Sequence, residues 1–260
     1  MINLKSQILN SLEQGLRFDG RKPAEWRKVE VEYGISKNAE GSARVRFGGT
    51  EVLAGIKLSI AAPYSDTPGE GALMVEAELT PMSNPAFETG PPDIQAIELA
   101  RVIDRGIRES RTIDMKKLCI KEGEKCWMVS VDIVTINDEG NLIDAAGLAA
   151  LAALKDAKFP KLADDKIEYR EKTKTPLPLL KEPIPVTVIK IGDKLIVDPT
   201  TEEEKVVEAR LTVTSSEKGR INSLQKGGEG TISAEVLSAM IDLALEKAKE
   251  IRKHLEKGAK

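Results

Sequence analysis

This chain has few of the side chains on which base stacking, metal binding and nucleophilic catalysis usually depend. Aromatic residues make up only 3% of its 260 residues, so stacking on Phe, Tyr or Trp is not expected to dominate any contact with nucleic acid. The one histidine, His254, stands near the C-terminus and argues against a His-based triad or a metal site built from histidines. The two cysteines, Cys119 and Cys126, fit no common zinc-binding spacing, and buried free thiols are expected rather than a disulfide.

Neither sign of charge is in large excess, and long apolar runs are absent. With 39 basic and 42 acidic side chains the formal net charge is -3, so any RNA contact must use a local basic patch. No apolar run approaches the ~20 residues that a membrane-spanning helix needs, and the first residues do not form a basic-then-apolar export signal. A folded cytoplasmic protein that binds no membrane is expected, as 41% hydrophobic and 31% charged residues also indicate.

The first half of the chain has the alternating pattern of a sheet. Residues 4–15 predict an opening helix, and residues 26–60 alternate apolar and polar side chains between glycine turns, which predicts strands. Residues 72–80 and 128–136 predict two further strands, and an alanine-rich helix is predicted at 145–154. Strands followed by helices are typical of an α+β layer.

The second half repeats this organisation. Residues 186–224 contain strand-like segments, and Ser233 is predicted to cap a long C-terminal helix. Charges and prolines between residues 161 and 185 predict a linker. We therefore expect an α+β fold with an N-terminal domain at residues 1–160 and a C-terminal domain at residues 186–260.

A helix that begins at Asp93 is predicted to have one apolar and one basic face. Its apolar stripe recurs at about 100° per residue and consists of Ala96, Leu99, Ala100, Ile103 and Ile107. Arg101, Arg105 and Arg108 fall together on the opposite side, and Arg111 follows them. This face either is solvated, with ion-pair partners along the helix, or binds phosphate, which a guanidinium contacts through two parallel hydrogen bonds. The carboxylates in reach are those of Glu98, Asp104 and Glu109.

The segment from Glu139 to Asp144 lacks the chemistry that its position suggests. It lies between a predicted strand and a predicted helix, where backbone N–H groups and a helix N-terminus can surround a phosphate. Leu142 and Ile143 offer an anion neither charge nor a hydrogen bond, and Asp144 would repel it. This loop is therefore not expected to bind phosphate.

Four segments of the chain resemble the RNase PH family. Arg17–Pro23, Gly41–Ala43 and Gly48–Val52 are similar to the opening of that family, and Ile97–Arg108 is similar to its arginine-bearing helix. The resemblance extends over most of the chain. It implies an RNase PH-type fold, in which ribosomal protein S5 domain 2-like βαβ layers are joined to a C-terminal α/β domain.

The resemblance also locates an active site whose residues have changed. In active members a Gly-Gly-Ser/Thr-Arg loop holds the attacking phosphate, whereas here Asn141 stands at the Ser/Thr position and Leu142 replaces the arginine. Active members also carry two aspartates, which can hold a divalent ion or protonate the leaving oxygen, and Glu204 and Arg210 match these positions. A guanidinium can do neither. No catalytic residue, metal or cofactor is therefore expected, and nearby Asp198 is interpreted as structural rather than as a replacement acid.

Within the family the chain most resembles the non-catalytic RNase PH-like subunit of the archaeal exosome. This implies a hexameric ring, a trimer of heterodimers in which the chain pairs with a catalytic RNase PH-like sister subunit and shapes its active site. It also implies RNA-binding cap subunits on the ring and single-stranded RNA that is degraded from the 3′ end with inorganic phosphate. The residues expected to contact the RNA backbone are Arg101 and Arg105, with Arg108 and Arg111 as secondary candidates.

Two other functions stay open on the residues alone. An active phosphorolytic exoribonuclease of the RNase PH type would need Asp198 and Glu204 to replace the aspartate pair, and another residue to bind phosphate. A general RNA-binding scaffold would act without a nuclease partner. Release of nucleoside diphosphates by the isolated chain would identify the first, and co-purification with a related subunit would exclude the second.

Two further groups of charged residues have functional candidates among them. Arg44 and Arg46 lie on one face of a predicted strand, where they either line the pore of the ring and touch RNA or are solvated. For Arg17, Asp19 and Arg21 the resemblance implies a structural role at the domain edge and in subunit contact.

Overall fold

The computed structural model describes residues 2–163 and 166–257 of the chain. The elements of the first half are α1 (Ile2–Glu13), β1 (Val29–Tyr33), β2 (Gly41–Phe47), β3 (Thr50–Ala61), β4 (Ala72–Glu78), α2 (Ile94–Ser110), β5 (Cys119–Lys121), β6 (Lys125–Asn137) and α3 (Leu142–Asp156). Those that follow are β7 (Lys158–Ala163), β8 (Lys166–Pro176), β9 (Ile184–Ile191), β10 (Lys194–Val197), α4 (Thr201–Glu204), β11 (Ala209–Ser215), β12 (Ile221–Gly227) and α5 (Ala234–Lys257). The predicted α+β organisation is confirmed.

The first half folds around a six-stranded sheet with the order β1-β2-β3-β6-β4, and β5 pairs with the start of β6. All pairings are antiparallel except that of β4 with β6. Gly48, with a φ of 57°, makes the turn between β2 and β3. Every second residue of β3 from Val52 to Leu58 is buried, because successive side chains point to opposite faces of a strand. Helices α2 and α3 pack against this sheet.

Helix α3 is buried on all sides because it lies between the two larger sheets. A Cβ on Gly41 of β2 would lie 2.4 Å from the carbonyl oxygen of Ala153, and a Cβ on Gly147 would lie 2.3 Å from Cγ of Pro185. Small residues therefore let the helix approach its neighbours closely. The second sheet has the antiparallel order β10-β9-β11-β12, and its strand β9 packs on α3. An apolar helix of this kind needs such an enclosed position.

Helices α1 and α5 pack on the second sheet. Helix α5 lies on β9 and β11 and places Met240 and Ala244 in the main core, whereas α1 places Ile8 in a smaller core with residues of β9 and β10. Ser233 caps α5 as predicted, because its Oγ accepts a hydrogen bond from the N–H of Val236 at 3.3 Å. None of the described helices is long and apolar enough to cross a membrane.

The predicted linker at residues 161–185 is not an irregular loop. Strands β7 and β8 form an antiparallel hairpin that covers much of it, and the ammonium of Lys57 lies 4.5 Å from the ring centroid of Tyr169. The short helix α4, also absent from the sequence prediction, begins with a capping box between Thr200 and Glu203. The division into two domains stays a prediction, since one hydrophobic core contains residues of both halves.

The two cysteines lie directly opposite each other on β5 and β6. Both are free thiols; Cys126 is buried as expected, whereas Cys119 is only half-buried. Burial raises the pKa of the Cys126 thiol, and the neighbouring Cys119 adds to the shift. The pair is therefore expected to differ in reactivity.

Candidate functional site

Helix α2 presents the predicted arginines on its exposed side. Asp93 caps the helix by accepting a hydrogen bond from a backbone N–H of the first turn at 2.8 Å. The apolar stripe is packed into the core. Arg101, Arg105 and Arg108 are exposed, and Arg111 follows the last turn in the left-handed conformation, with a φ of 55°. The helix thus carries its guanidinium groups on the side away from the core.

The carboxylates along this helix do not neutralise its first two arginines. Asp104 pairs with Arg108 at 2.7 Å, and Glu98 is turned away to pair with an arginine of β11. Within the described residues, Arg101 and Arg105 form no ion pair and no side-chain hydrogen bond. Of the three carboxylates on which the solvated-face interpretation relied, Asp104 and Glu98 are engaged elsewhere, and the exposed Glu109 forms no ion pair with either arginine in the described structure. These two guanidinium groups therefore remain available to phosphate.

The loop before α3 has its backbone N–H groups occupied by the chain's own carboxylates. The N–H of Gly140 donates to Oδ1 of Asp138 at 2.9 Å, and the N–H of Asn141 donates to Oε1 of Glu204 at 2.9 Å. Asn141 adopts the left-handed conformation, with a φ of 62° and a ψ of 39°. Two carboxylates therefore accept the hydrogen bonds that a loop of this kind would otherwise donate to a phosphate.

The four positions that the sequence assigns to the changed active site line one cavity of about 420 Å³; they are Asn141, Leu142, Glu204 and Arg210. Leu142 forms part of an apolar wall, and Arg210 is held by its ion pair with Glu98. Asp138 and Glu204 leave the cavity with a surplus of negative charge, which opposes the entry of phosphate. In the part of the chain that the structure describes, no cluster of His, Cys, Asp or Glu is arranged to hold a metal ion.

Two buried carboxyl groups near this cavity have raised pKa values. Burial raises the pKa of Glu204 to about 7, and the negative charge of Asp138 adds to the shift. Burial also raises the pKa of Asp144 to about 7, although Thr187 donates to both of its oxygens at 2.9 and 2.7 Å. Asp144 is therefore turned towards β9. The sequence-based view that it repels an anion in the loop is not supported, since the carboxylates of Asp138 and Glu204 are the ones that meet the loop N–H groups.

Asp198 is a buried anchor and does not line the cavity. Its carboxylate accepts hydrogen bonds from Nη1 of Arg21 at 2.9 Å, from Nη2 of Arg27 at 2.7 Å and from Nδ2 of Asn141 at 2.9 Å. Burial alone would raise the pKa of Asp198, but the hydrogen bonds and the charge of Arg27 hold it below its usual value. These contacts agree with a structural role.

Arg27 is a residue of this site that the sequence analysis missed. Besides its ion pair with Asp198, its guanidinium donates to the carbonyl oxygens of Glu139 at 2.9 Å and of Gly140 at 3.0 Å. These bonds hold the loop in the shape in which its N–H groups meet the two carboxylates. Arg27 and Glu139 are 112 positions apart, so no local pattern could have indicated the contact.

Arg17 and Arg21 fix the turn that carries Asp198. Arg17 is buried and donates to Oε1 of Glu203 at 2.7 Å and to the carbonyl oxygen of Asp198 at 2.8 Å. Arg21 pairs with Asp19 at 2.7 Å and with Asp198 at 2.9 Å. The three charged residues of this segment thus have structural contacts within the chain, whereas the subunit contact stays a prediction.

Arg44 and Arg46 are neutralised on the surface of the sheet. Nε of Arg46 lies 2.8 Å from Glu51, and Nε of Arg44 lies 3.3 Å from the other oxygen of the same carboxylate. Glu30 and Glu32 supply further partners. Two guanidinium groups among three carboxylates leave no surplus positive charge. This favours the interpretation in which Arg44 and Arg46 are solvated and do not contact RNA.

Comparisons with known proteins match both halves of the chain. The model of the 3′ exoribonuclease family, domain 1, matches residues 25–160, and that of domain 2 matches residues 181–247. Exosome complex component Rrp42 of Methanopyrus kandleri is 46% identical over 251 residues, which cover 96% of this chain and 94% of the relative. The protein of the same name from Thermococcus gammatolerans is 47% identical over 260 residues, which cover 97% and 93%.

Solved structures agree with these matches over nearly the whole chain. A chain of the Archaeoglobus fulgidus exosome with RNA bound to the active site is 41% identical, with a TM-score of 0.90 and coverage of 96% of both chains. A chain of an archaeal exosome core is 38% identical, with a TM-score of 0.86 and coverage of 97% of this chain and 96% of the other. With both of its domains matched and relatives of this identity, the chain belongs to the 3′ exoribonuclease family of RNase PH-type proteins.

Proposed function

We propose that this chain is a non-catalytic subunit of an archaeal exosome that degrades RNA from the 3′ end by phosphorolysis. The observation that carries the absence of catalysis is the loop before α3, where Asp138 and Glu204 occupy the N–H groups of Gly140 and Asn141. A phosphate would have to displace two carboxylates from a cavity that is already negative. The names and structures of the relatives support membership of the complex.

In this proposal the chain pairs with a catalytic RNase PH-like sister subunit. Three such heterodimers form a hexameric ring, in which this chain shapes the active site of its sister, and RNA-binding cap subunits sit on the ring. The likeness to chains of exosome structures over 96% or more of this chain supports an assembly of this kind. The proposal includes the cytoplasmic location that the sequence predicts.

The contact with single-stranded RNA is assigned to the exposed side of α2. Arg101 and Arg105 carry it, because their guanidinium groups have no carboxylate partner among the described residues. Arg108 contributes less, since Asp104 already pairs with it, and Arg111 lies beyond the last turn. Backbone phosphates carry no base information, so little sequence preference is expected.

One observation favours the rival function, an active phosphorolytic exoribonuclease. The pKa of Glu204 is about 7, which is in the range of an effective general acid. However, its carboxylate is bound to the N–H of Asn141, and the only cation among the described lining residues, Arg210, is paired with Glu98. The cavity therefore has a candidate proton donor without a place for the phosphate.

The first experiment measures nucleoside diphosphate release from single-stranded RNA with inorganic phosphate and Mg²⁺. The isolated chain should release none, and its mixture with the catalytic sister should form a particle of six subunits that does. Release by the isolated chain that is lost in E204Q would establish the rival function. A chain that stays monomeric beside the sister would refute membership of the ring.

The second experiment tests the RNA face in the assembled ring without phosphate, so that RNA is bound and not degraded. Each phosphate contact to single-stranded RNA contributes about 0.7 to the slope of log binding constant against log salt. R101A/R105A should therefore make this slope shallower by about 1.4 and leave the ring intact, and R101E/R105E should weaken binding further. When phosphate is added, R101E/R105E should also lower the turnover of RNA. K249E/K253E changes two exposed lysines of α5 with the same spacing and should have little effect. Unchanged RNA affinity in R101E/R105E would show that the face is only solvated.

A further inference from the structure

Strand β4 is an uncovered edge of the large sheet. It pairs in parallel with β6 from Ala72 to Glu78, and among the described residues no strand pairs with its other side. It contains no proline, and its ladder with β6 has no bulge. An edge of this kind can accept another strand unless charge, proline or a bulge prevents it.

The outward backbone groups of β4 can be identified from one contact. The carbonyl oxygen of Leu73 accepts a hydrogen bond from Nη2 of Arg108 at 3.2 Å, so the backbone of Leu73 faces away from β6. Because alternate residues of a strand direct their N–H and C=O groups to the same side, those of Val75 and Ala77 also face outward. No partner for them is present in the described chain.

A cavity of about 750 Å³ opens beside this edge, between β4, the start of α2 and the preceding loop. Apolar side chains form much of its wall, among them Val75, Phe87 and Ile97. Ile97 is 48% exposed, and Ile94, almost one turn earlier in α2, is 85% exposed. Large aliphatic side chains that are this exposed beside a cavity with a partly apolar wall are typical of a surface that contacts another protein.

The charges around the cavity define the partner that it can accept. Its lining carboxylates are those of Glu76, Glu78, Glu88, Asp93 and Asp132. Against these five, the only cation among the described lining residues is Arg101. Burial and the nearby charge of Glu76 raise the pKa of Asp132, and the charge of Lys57 offsets only part of this shift. Five carboxylates against one guanidinium attract Lys and Arg side chains.

We infer that the β4 groove, formed by the outer edge of β4, the start of α2 and the loop from Phe87 to Pro92, binds an extended Lys- or Arg-bearing segment of the catalytic sister subunit. The segment adds a strand to the edge at Val75 and Ala77, and its basic side chains meet Glu76 and Glu78. Two copies of β4 cannot pair in this way without opposing like charges.

This inference rests on the proposed function, which requires the active site of the sister subunit to lie near the exposed side of α2. Arg101 belongs both to the groove and to the exposed face of α2, and Arg105 follows it by one turn. A subunit docked in the groove therefore borders the two unpaired arginines. RNA held by these arginines can then pass directly to the active site of that subunit.

The test measures the dissociation constant of the chain and its catalytic sister. E76K/E78K should weaken association at least tenfold, because it places lysines opposite a basic segment, whereas E246K/E256K makes the same charge change at exposed positions of α5 and should not. Wild-type affinity in E76K/E78K would overturn the inference and leave the proposed function standing, whereas no association of the wild-type chain with the sister would refute both.

Hydrogen exchange provides a direct readout of strand addition. The outward amides of Val75 and Ala77 should exchange rapidly in the free chain and become protected when the sister is added. Exchange that does not change in the complex would refute the added strand. Protection of the same amides by a cap subunit, with none from the sister, would refute the choice of partner.

Discussion

Replacement of Asp198 by Asn tests whether the carboxylate of Asp198 organises the loop before α3. Its side chain is fully buried, and it joins Arg21 and Arg27, from the segment before β1, to Asn141 in the loop before α3. The substitution D198N keeps the size of the side chain and removes its negative charge. The guanidinium group of Arg27 then loses the carboxylate that pairs with it, whereas that of Arg21 keeps its ion pair with Asp19.

The loss of stability expected in D198N follows from the burial of the arginines that remain. The side chains of Arg21 and Arg27 are each only 10% exposed, and removal of one partner from a buried ion pair costs about 3–5 kcal/mol. Arg27 keeps its bonds to the carbonyl groups of Glu139 and Gly140, so we expect the lower end of that range. A loss of about 3 kcal/mol corresponds to a fall in Tm of roughly 6–12 °C for a chain of this size.

Denaturant and thermal unfolding of the isolated chain measure this loss. Asp193 is exposed in the turn between β9 and β10, so D193N removes the same charge and should change stability by less than about 0.5 kcal/mol. Because the folded pKa of Asp198 is lowered, its stabilisation is present above the ordinary Asp value and is lost as the pH falls below about 4. A loss under about 1 kcal/mol at pH 7 would falsify the anchor role.

Two smaller predictions concern titration and thiol reactivity. The pKa of Glu204 rises to about 7 in the folded chain, so the native state holds the proton more tightly and stability falls as the pH rises from about 4.5 to 7. The free energy of unfolding, measured across this range, should fall less steeply in E204Q than in the wild type, and the fall that remains is due to Asp144. An unchanged slope would contradict the assignment of the raised pKa to Glu204. Cys119 should react with a thiol reagent in the folded chain, whereas buried Cys126 should react only after unfolding. The variant C119S is the control, because it leaves Cys126 to be measured alone. Equal reaction rates of the two thiols in the folded chain would contradict the fold around β5.

The local pattern of the sequence was sufficient for most elements of the fold. The helical repeat predicted a helix that begins at Asp93 and carries exposed arginines, and α2 indeed begins directly after Asp93, which caps it. The sequence also assigned Asn141 and Glu204 to one site, although this relied on the family resemblance rather than on periodicity. The hairpin β7–β8 was missed because charges and prolines are typical of loops as well as of exposed strands.

The ion-pair partner of each charged side chain could not be predicted in the same way. Glu98 was a candidate partner for the arginines of α2, yet it pairs with Arg210, 112 positions away. Arg27 had no motif, yet it fastens Asp198, 171 positions away, to the loop before α3. Such pairs depend on which segments the fold brings together, and a sequence pattern that covers one or two turns contains no information on that.

The sequence by itself determined the elements, the buried faces and the loss of phosphate-binding side chains, because these depend on residue type and on spacing along one helix or strand. Tertiary structure decided which carboxylates fill the loop before α3 and which arginines stay unpaired. It also decided that β4 ends the sheet beside an acidic groove. These properties arise from ion pairs and strand order between distant segments, which form only when the core has packed.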